Sequence, residues 1–479
     1  MARGFPHNWD YELDTCSKMV TIRVDSSVLS HHASDAHSHI DMDAVKQLAL
    51  AQKTETTTPR CMPSRCVTAS ISIVRPQLRC TDDDDDGIYA PHYVPIGPYH
   101  LSRSSPGIDK EKTRCAGLLQ SLCEEHTKAG LTGLMEELEP LARACYADGA
   151  QHMTAEQFAS MLLHDGCYLL HFFLDYVSTT DCCAAGPGDD GSERRPTTAA
   201  VPVASRNTLV RDVVFLVENQ IPLFVLERLH QRVVGGGGGA GSSSVLDCIA
   251  GPVQELLQIL LLIGRKPRPA PPPSTCPHLL HLVHAYLQPM LVPVPAAGGC
   301  NCNTASRRRR RLMTGRWRRA TEYERYANVR FKARELVADD AACSSVLDVQ
   351  LVGGGSTLWI PRLRLDSNTW TILRNLMALE EQQQAHRRRR KPVTAYCVFM
   401  SQVACTAEDV ELLRRAGIVD HFLGNDEQAA RGFAGLCRGV VLDVDDLDAN
   451  YLKPLWHELE QRSHSRVQYP ADDHVQELW

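Results

Sequence analysis

Stretches whose composition cannot bury a helix or strand face cut this chain into short pieces, and that punctuation limits what it can fold into. They are Asp82 to Asp86, "GPGDDGSERRP" from Gly186, "GGGGGAGSSS" from Gly235, "KPRPAPPPS" from Lys266, "RRRRR" from Arg307 and "RRRRK" from Arg387. Each reads as a surface loop. A length of 479 residues allows two or three ordinary domains, or one large helical domain carrying long loops. The hydrophobic content of 43% is enough for a real core.

The same totals exclude several function classes. A net charge of −6 argues against a dedicated nucleic-acid binder, so no nucleic-acid partner is expected. The opening "MARGFPHNWDYELD" is acidic and lacks the apolar core of a secretory signal. The longest apolar run, near "LLQILLLIG" from Leu256 to Gly264, is about half of the roughly 20 residues that a membrane-spanning helix needs. No membrane span is expected in the chain as written. The 18 cysteines are scattered without a CxxC pair, which reads as reduced, mostly buried thiols in a cytoplasmic setting.

Periodicity places the ordered pieces between the loops. Residues 1–70 lack sustained period and are expected to be largely disordered. Helices are predicted over 109–128, 154–177, 208–233, 245–263, 277–288 and 319–337. Thr406 with Asp409, and Asn425 with Gln428, have the spacing of helix-start boxes. The second is followed by a core-facing stripe of Ala429, Phe433, Leu436, Cys437 and Val440. Alternation on both sides of a glycine turn predicts one β-hairpin at about 346–365, and "DSNT" then caps a helix beginning near Trp370. The expected fold is mainly α: a large helical domain over 71–462 with one small β-hairpin and long low-complexity loops, then a tail over 463–479.

Chemistry is harder to find. In "RDVVFLVENQIPLFVLERL", Arg211 to Leu229, a polar triplet and a proline interrupt an apolar segment. Pro222 lacks an N–H and biases Ile221 away from the helical region. One helix is therefore predicted to end near Glu218 and another to begin near Asn219 or Gln220. At such a corner Asn219 and Gln220 satisfy orphan backbone groups, and Glu218 pairs with a cation or accepts N–H bonds. The alternative is a general base, with Asp165 of "LLHDGCYLLHFFL" as second carboxylate, in a hydrolase-like site. The structural reading is preferred for both residues, with Asp165 paired to Arg211 or bonded to backbone. No catalytic residue is assigned on this reading.

No cofactor or metal site is expected either. His37, His39 and Asp41 have a ligand-like spacing in a segment with nothing to present them, and His278, His281 and His284 drift around one helix. The glycine run from Gly235 lacks the Gly-Lys-Ser/Thr ending of a phosphate loop. The arginine runs allow nuclear import or contact with an anionic surface, but solvated loops are the preferred reading because acidic residues elsewhere cancel the charge.

Several of these motifs together resemble a plant family known as domain of unknown function 247. They are "YAPHYVPIGPYH" with Gly97, Pro98, Tyr99 and His100, "MLLHDGCYLLHFFL" with Asp165, Gly166 and Cys167, and the segment of Arg211, Asp212, Glu218, Asn219, Gln220, Ile221 and Pro222. "LWIPRLRLDSNTWTILRNLMALEEQ" follows, with Pro361, Arg374, Asn375, Leu376 and Glu380, and then "DVELLRRAGIVDHFLGNDEQAARGF". The resemblance covers about residues 71–459. It implies a plant protein with a mostly helical domain, no established enzymatic activity, and these residues as structural elements of the family core. Family members commonly end in one transmembrane helix, and some in grasses are implicated in self-incompatibility recognition. This sequence departs by lacking an apolar anchor after "YLKPLWHELEQR" and by opening with "SIVRPQLR". The expected function is non-enzymatic interaction with a protein partner of unknown identity, in the cytoplasm as written or at a membrane if the C-terminus is truncated.

Overall fold

The computed structural model describes residues 69–79, 86–123, 130–184, 209–234, 244–266, 268–290, 317–336, 343–352, 356–383, 390–443 and 449–467. The expected disorder over 1–70, the His37/His39/Asp41 cluster and the arginine runs fall almost entirely outside these residues.

Helices dominate the fold, as the apolar periodicity predicts. The N-terminal group comprises α1 (Pro106–Leu122), α2 (Gly130–Arg143), α3 (Ala155–Ala184), α4 (Leu223–Val234), α5 (Val245–Ile259) and α6 (Leu279–Leu287). α3 is the centre of this group and packs against α1, α2, α4 and α5. Its start is fixed by Thr154 and Gln157, which exchange side-chain bonds with each other's backbone N–H. Gly166 lets α4 approach α3 closely: a Cβ there would lie 2.5 Å from Leu229 Cδ1.

The C-terminal group opens with α7 (Ala320–Ala327) and strands β1 (Arg330–Arg334), β2 (Gln350–Val352), β3 (Thr357–Pro361) and β4 (Leu363–Leu365). It continues with α8 (Thr369–Gln382), α9 (Pro392–Val403), α10 (Ala407–Arg415), β5 (Val419–His421), α11 (Asp426–Leu436) and α12 (Lys453–Val467). The predicted hairpin is present, with Gln350 opposite Trp359 and Val352 opposite Thr357 in an antiparallel pair. Two further pairings extend the β content beyond it. β1 runs parallel to β3, and β4 runs parallel to β5.

Two helix predictions need correction. The helix expected over 319–337 stops at Ala327, where Asn328 takes a left-handed conformation with φ 48° and closes the last turn. Residues 330–334 then run as an edge strand paired in parallel with β3, with Phe331 turned into the core. The helix expected over 208–233 is broken across seven residues rather than at one corner. A π-helical turn over Arg211–Phe215 is followed by non-helical Leu216 to Pro222 before α4 starts.

A segment with little regular structure joins the two groups. This strap, residues 71–79 and 86–103, contains only a short helix at Asp86–Tyr89 and 3₁₀ turns at Pro76–Leu78 and Pro98–Arg103. Ile71 bridges to Tyr146 behind α2. On the other side, Gln382 at the end of α8 donates to Ser72 O and Glu381 pairs with Arg75. The segment touches both groups, so its own backbone needs partners that no neighbouring helix or strand supplies.

Candidate functional site

Those partners are the polar side chains of the interrupted apolar segment. Asp212, fully buried, accepts the Tyr93 and Val94 N–H groups at 2.6 and 3.0 Å on one oxygen and the Arg211 guanidinium at 2.7 Å on the other. Arg211 also donates to the carbonyls of Gly87 and Ala90. Asn219 accepts Ile96 N–H at 2.7 Å and donates to Val94 O at 2.9 Å and Asp212 O at 3.0 Å. One planar amide thus closes two strap groups and one carbonyl freed by the π turn.

Gln220 works inward. Its amide donates to Leu216 O at 2.9 Å and Val213 O at 3.3 Å, carbonyls that a continuing helix would have satisfied. Its oxygen accepts Leu280 N–H at the start of α6. Its own carbonyl takes the Tyr146 hydroxyl at 2.9 Å. Gly97 passes over that carbonyl with φ 75°, and a Cβ there would lie 2.6 Å from Gln220 O. Both the backbone conformation and the space require glycine. Ile221 and Pro222 are buried beneath this crossing.

Glu218 and Asp165 are each about 1% exposed. Glu218 Oε1 accepts Val74 N–H at 2.6 Å and the Arg79 guanidinium, while Oε2 lies 3.2 Å from His100 Nε2. Burial pushes the Glu218 carboxyl up, but the donors on His100, Arg79 and Val74 outweigh it and hold the group below the usual glutamate range. Asp165 pairs with Lys112 Nζ at 2.6 Å and accepts Gly97 N–H at 2.7 Å. The backbone bond is as expected, whereas the alternative Arg211 partner is corrected to Lys112, because Arg211 is committed to Asp212. Lys112 also donates to Pro95 O at 2.5 Å. The turn from Gly97 to His100 therefore brings Asp165 and Glu218 to nearby strap residues, Asp165 through Gly97 N–H and Glu218 through the His100 ring.

The remaining motif residues extend the same pattern. Asn375 on α8 accepts Val217 N–H at 2.9 Å and donates to Ile88 O at 2.8 Å, linking corner, strap and α8. Arg374 reaches Leu436 O at the end of α11 and Leu78 O in the strap. Glu380 accepts Val393 N–H, Thr394 N–H and the Thr394 hydroxyl at the start of α9, and His284 Nε2 lies 2.9 Å from it. Leu376 and Cys167 are core residues, and burial pushes the Cys167 thiol up to about 12. Pro98 is buried as the first residue of its turn, and the Tyr99 hydroxyl bonds Asp148 at 3.1 Å. Pro361 ends β3 opposite Arg334.

Sequence reasoning missed Lys112, Arg79 and Thr394. Lys112 carried a signal: it falls on the α1 stripe of Ile108, Cys115, Ala116 and Leu119, where a lysine needs a buried partner. Arg79 and Thr394 carried none. Of the histidine row, His278 and His281 stack edge to face at 4.2 Å between ring centres, and burial pulls His278 down to about 3. Among the described residues no three His, Cys, Asp or Glu side chains are grouped to hold a metal ion, and no helix is long and apolar enough to cross a membrane.

Comparison with known proteins gives the arrangement a family but no reaction. The profile of a family described as "plant protein of unknown function", DUF247, matches residues 71–479. A UPF0481 protein of Arabidopsis thaliana is 21% identical over 446 residues, covering 78% of this chain and 79% of the relative. A second UPF0481 protein of that plant is 25% identical over 387 residues, covering 74% and 70%. No solved structure matches the chain. The match begins at Ile71, where the strap begins, and takes in the whole clamp, meaning the strap with the buried side chains that hold it; the chain belongs to the DUF247 family of plant proteins.

Proposed function

We propose that this chain is a non-enzymatic recognition protein in which the clamped core serves as a rigid scaffold for binding a protein partner. The observation that carries this reading is the occupancy of Asp165, Asp212 and Glu218. Both oxygens of Asp165 and Asp212 and one oxygen of Glu218 already accept from a cation or a backbone N–H, and the other Glu218 oxygen faces the His100 ring at 3.2 Å. A general base needs a lone pair in reach of substrate, and these face the strap instead. On this reading residues 71–462 act as one domain, the motif residues are structural, and binding falls to loops held by the scaffold. The exchangeable loops, 182–205 and 235–244, lie almost wholly outside the described residues.

The test is capture of partners on the full chain from plant tissue, comparing wild type with variants whose 182–205 or 235–244 loop is exchanged. Pollen and stigma come first, given the self-incompatibility in which grass members of the family are implicated. A specific protein lost on loop exchange supports the reading. Retention of every captured protein after both exchanges contradicts it. A hydrolase using Asp165 and Glu218 is the second reading, and loss of a measured hydrolytic activity in both Asp165→Asn and Glu218→Gln proteins that remain folded would favour it.

A further inference from the structure

α4 and α5 bring a thiol and an imidazole together away from the clamp. Cys248 Sγ lies 3.4 Å from His230 Nε2. His230 is 1% exposed, and its Nδ1 has no hydrogen-bond partner, so no carboxylate or carbonyl fixes the ring's tautomer. Burial lowers the His230 pKa, with Glu227 and Asp247 opposing. The ring is therefore a neutral base at neutral pH.

Cys248 sits on α5 just inside the Ser244–Asp247 box, where the Asp247 and Glu227 carboxylates already take the helix's first N–H groups, so the imidazole is the activating group on the sulfur. Cys145 makes the fair contrast. It is 5% exposed against 7% for Cys248, but its thiol is directed at Leu141 O and burial pushes it up to about 12. Two thiols of similar accessibility thus differ in whether a base touches them.

We propose that Cys248 is a peroxide-reactive thiol, with His230 as its general base and small uncharged hydroperoxides as its oxidants. Nε2 takes the thiol proton, the sulfur electron pair attacks one peroxide oxygen, and the O–O bond breaks. The departing hydroxide (from hydrogen peroxide) or alkoxide (from an alkyl hydroperoxide) takes the proton from the imidazolium and leaves as water or alcohol. Sulfur is oxidised by two electrons to the sulfenic acid, and the peroxide is reduced.

The experiment treats the folded full-length chain with limiting hydrogen peroxide, quenches into denaturant containing dimedone, and maps labelled cysteines by peptide mass spectrometry. Cys248 is expected to be oxidised at least ~10-fold faster than Cys145, and His230→Gln to remove most of that advantage while the Cys145 rate stays as in wild type. Equal rates at Cys248 and Cys145 in wild type overturn the proposal. So does an unchanged Cys248 rate in His230→Gln. Cys248→Ser keeps the imidazole and gives an independent reading: the fastest phase of peroxide consumption should disappear, and its persistence contradicts the assignment.

Discussion

The strap and the α10–α11 pair both pack on the core, yet they are held by opposite means. Around α10 and α11 each helix closes its own start: Thr406 accepts Asp409 N–H, Asn425 accepts Gln428 N–H, and Ala429, Phe433 and Leu436 turn inward. At the clamp, a segment that cannot satisfy its own backbone is held by side chains more than a hundred residues away. Val74 rests on Glu218, Val94 on Asp212 and Ile96 on Asn219. Local closure tolerates the loss of one bond because water reaches a frayed helix end. Remote closure does not, because each lost side chain leaves buried polar groups with nowhere to turn.

The largest effect should come from Asp212→Ala. It strands the buried Arg211 guanidinium and two strap N–H groups together, and should cost about 3–5 kcal/mol in denaturant unfolding. A loss below about 1 kcal/mol would show that the clamp relaxes as a helix end does.

Glu218→Gln should come next, at about 2–3 kcal/mol near neutral pH, because Gln replaces a charge-assisted acceptor. The pH dependence sharpens the comparison. Glu218 titrates below its usual range when folded. Its stabilisation is thus complete above the unfolded value of about 4.3 and is lost as pH falls through the lower folded value. Stability of wild type should fall more steeply than that of Glu218→Gln below about pH 4.3. Parallel acid limbs would remove Glu218 from the account.

Asn219→Ala should cost about 1–3 kcal/mol by orphaning Ile96 N–H and the carbonyls of Val94 and Asp212. Thr406→Ala, the local counterpart, should cost about 1 kcal/mol. If thermal unfolding ranks Thr406→Ala above Asn219→Ala, the contrast between the two regions fails.

The same contrast explains what was legible in the sequence. The α10 and α11 starts were readable because cap and capped group are three residues apart. The stripe from Ala429 was readable because one helix face meets one core. The Glu-Asn-Gln-Ile-Pro interruption marked a polar corner, but its partners in the strap carry no periodic signal, so the corner's breadth stayed hidden; Lys112 was marked by its place on the α1 stripe, but nothing marked Asp165 as its partner. β1 and β5 were missed because each pairs in parallel with a remote strand of three to five residues. Propensity in so short a stretch is decided by the neighbour.

The central claim is that the motif's polar side chains exist to hold the strap backbone, and residue-resolved amide hydrogen exchange in wild type and Asn219→Ala tests it most directly. The account predicts that Val94, Ile96 and Gly97 exchange as slowly as core helix amides in wild type, and that Asn219→Ala accelerates Ile96 and its neighbours while the α11 amides keep their protection. Fast exchange of Val94, Ile96 and Gly97 in the wild-type protein would contradict it.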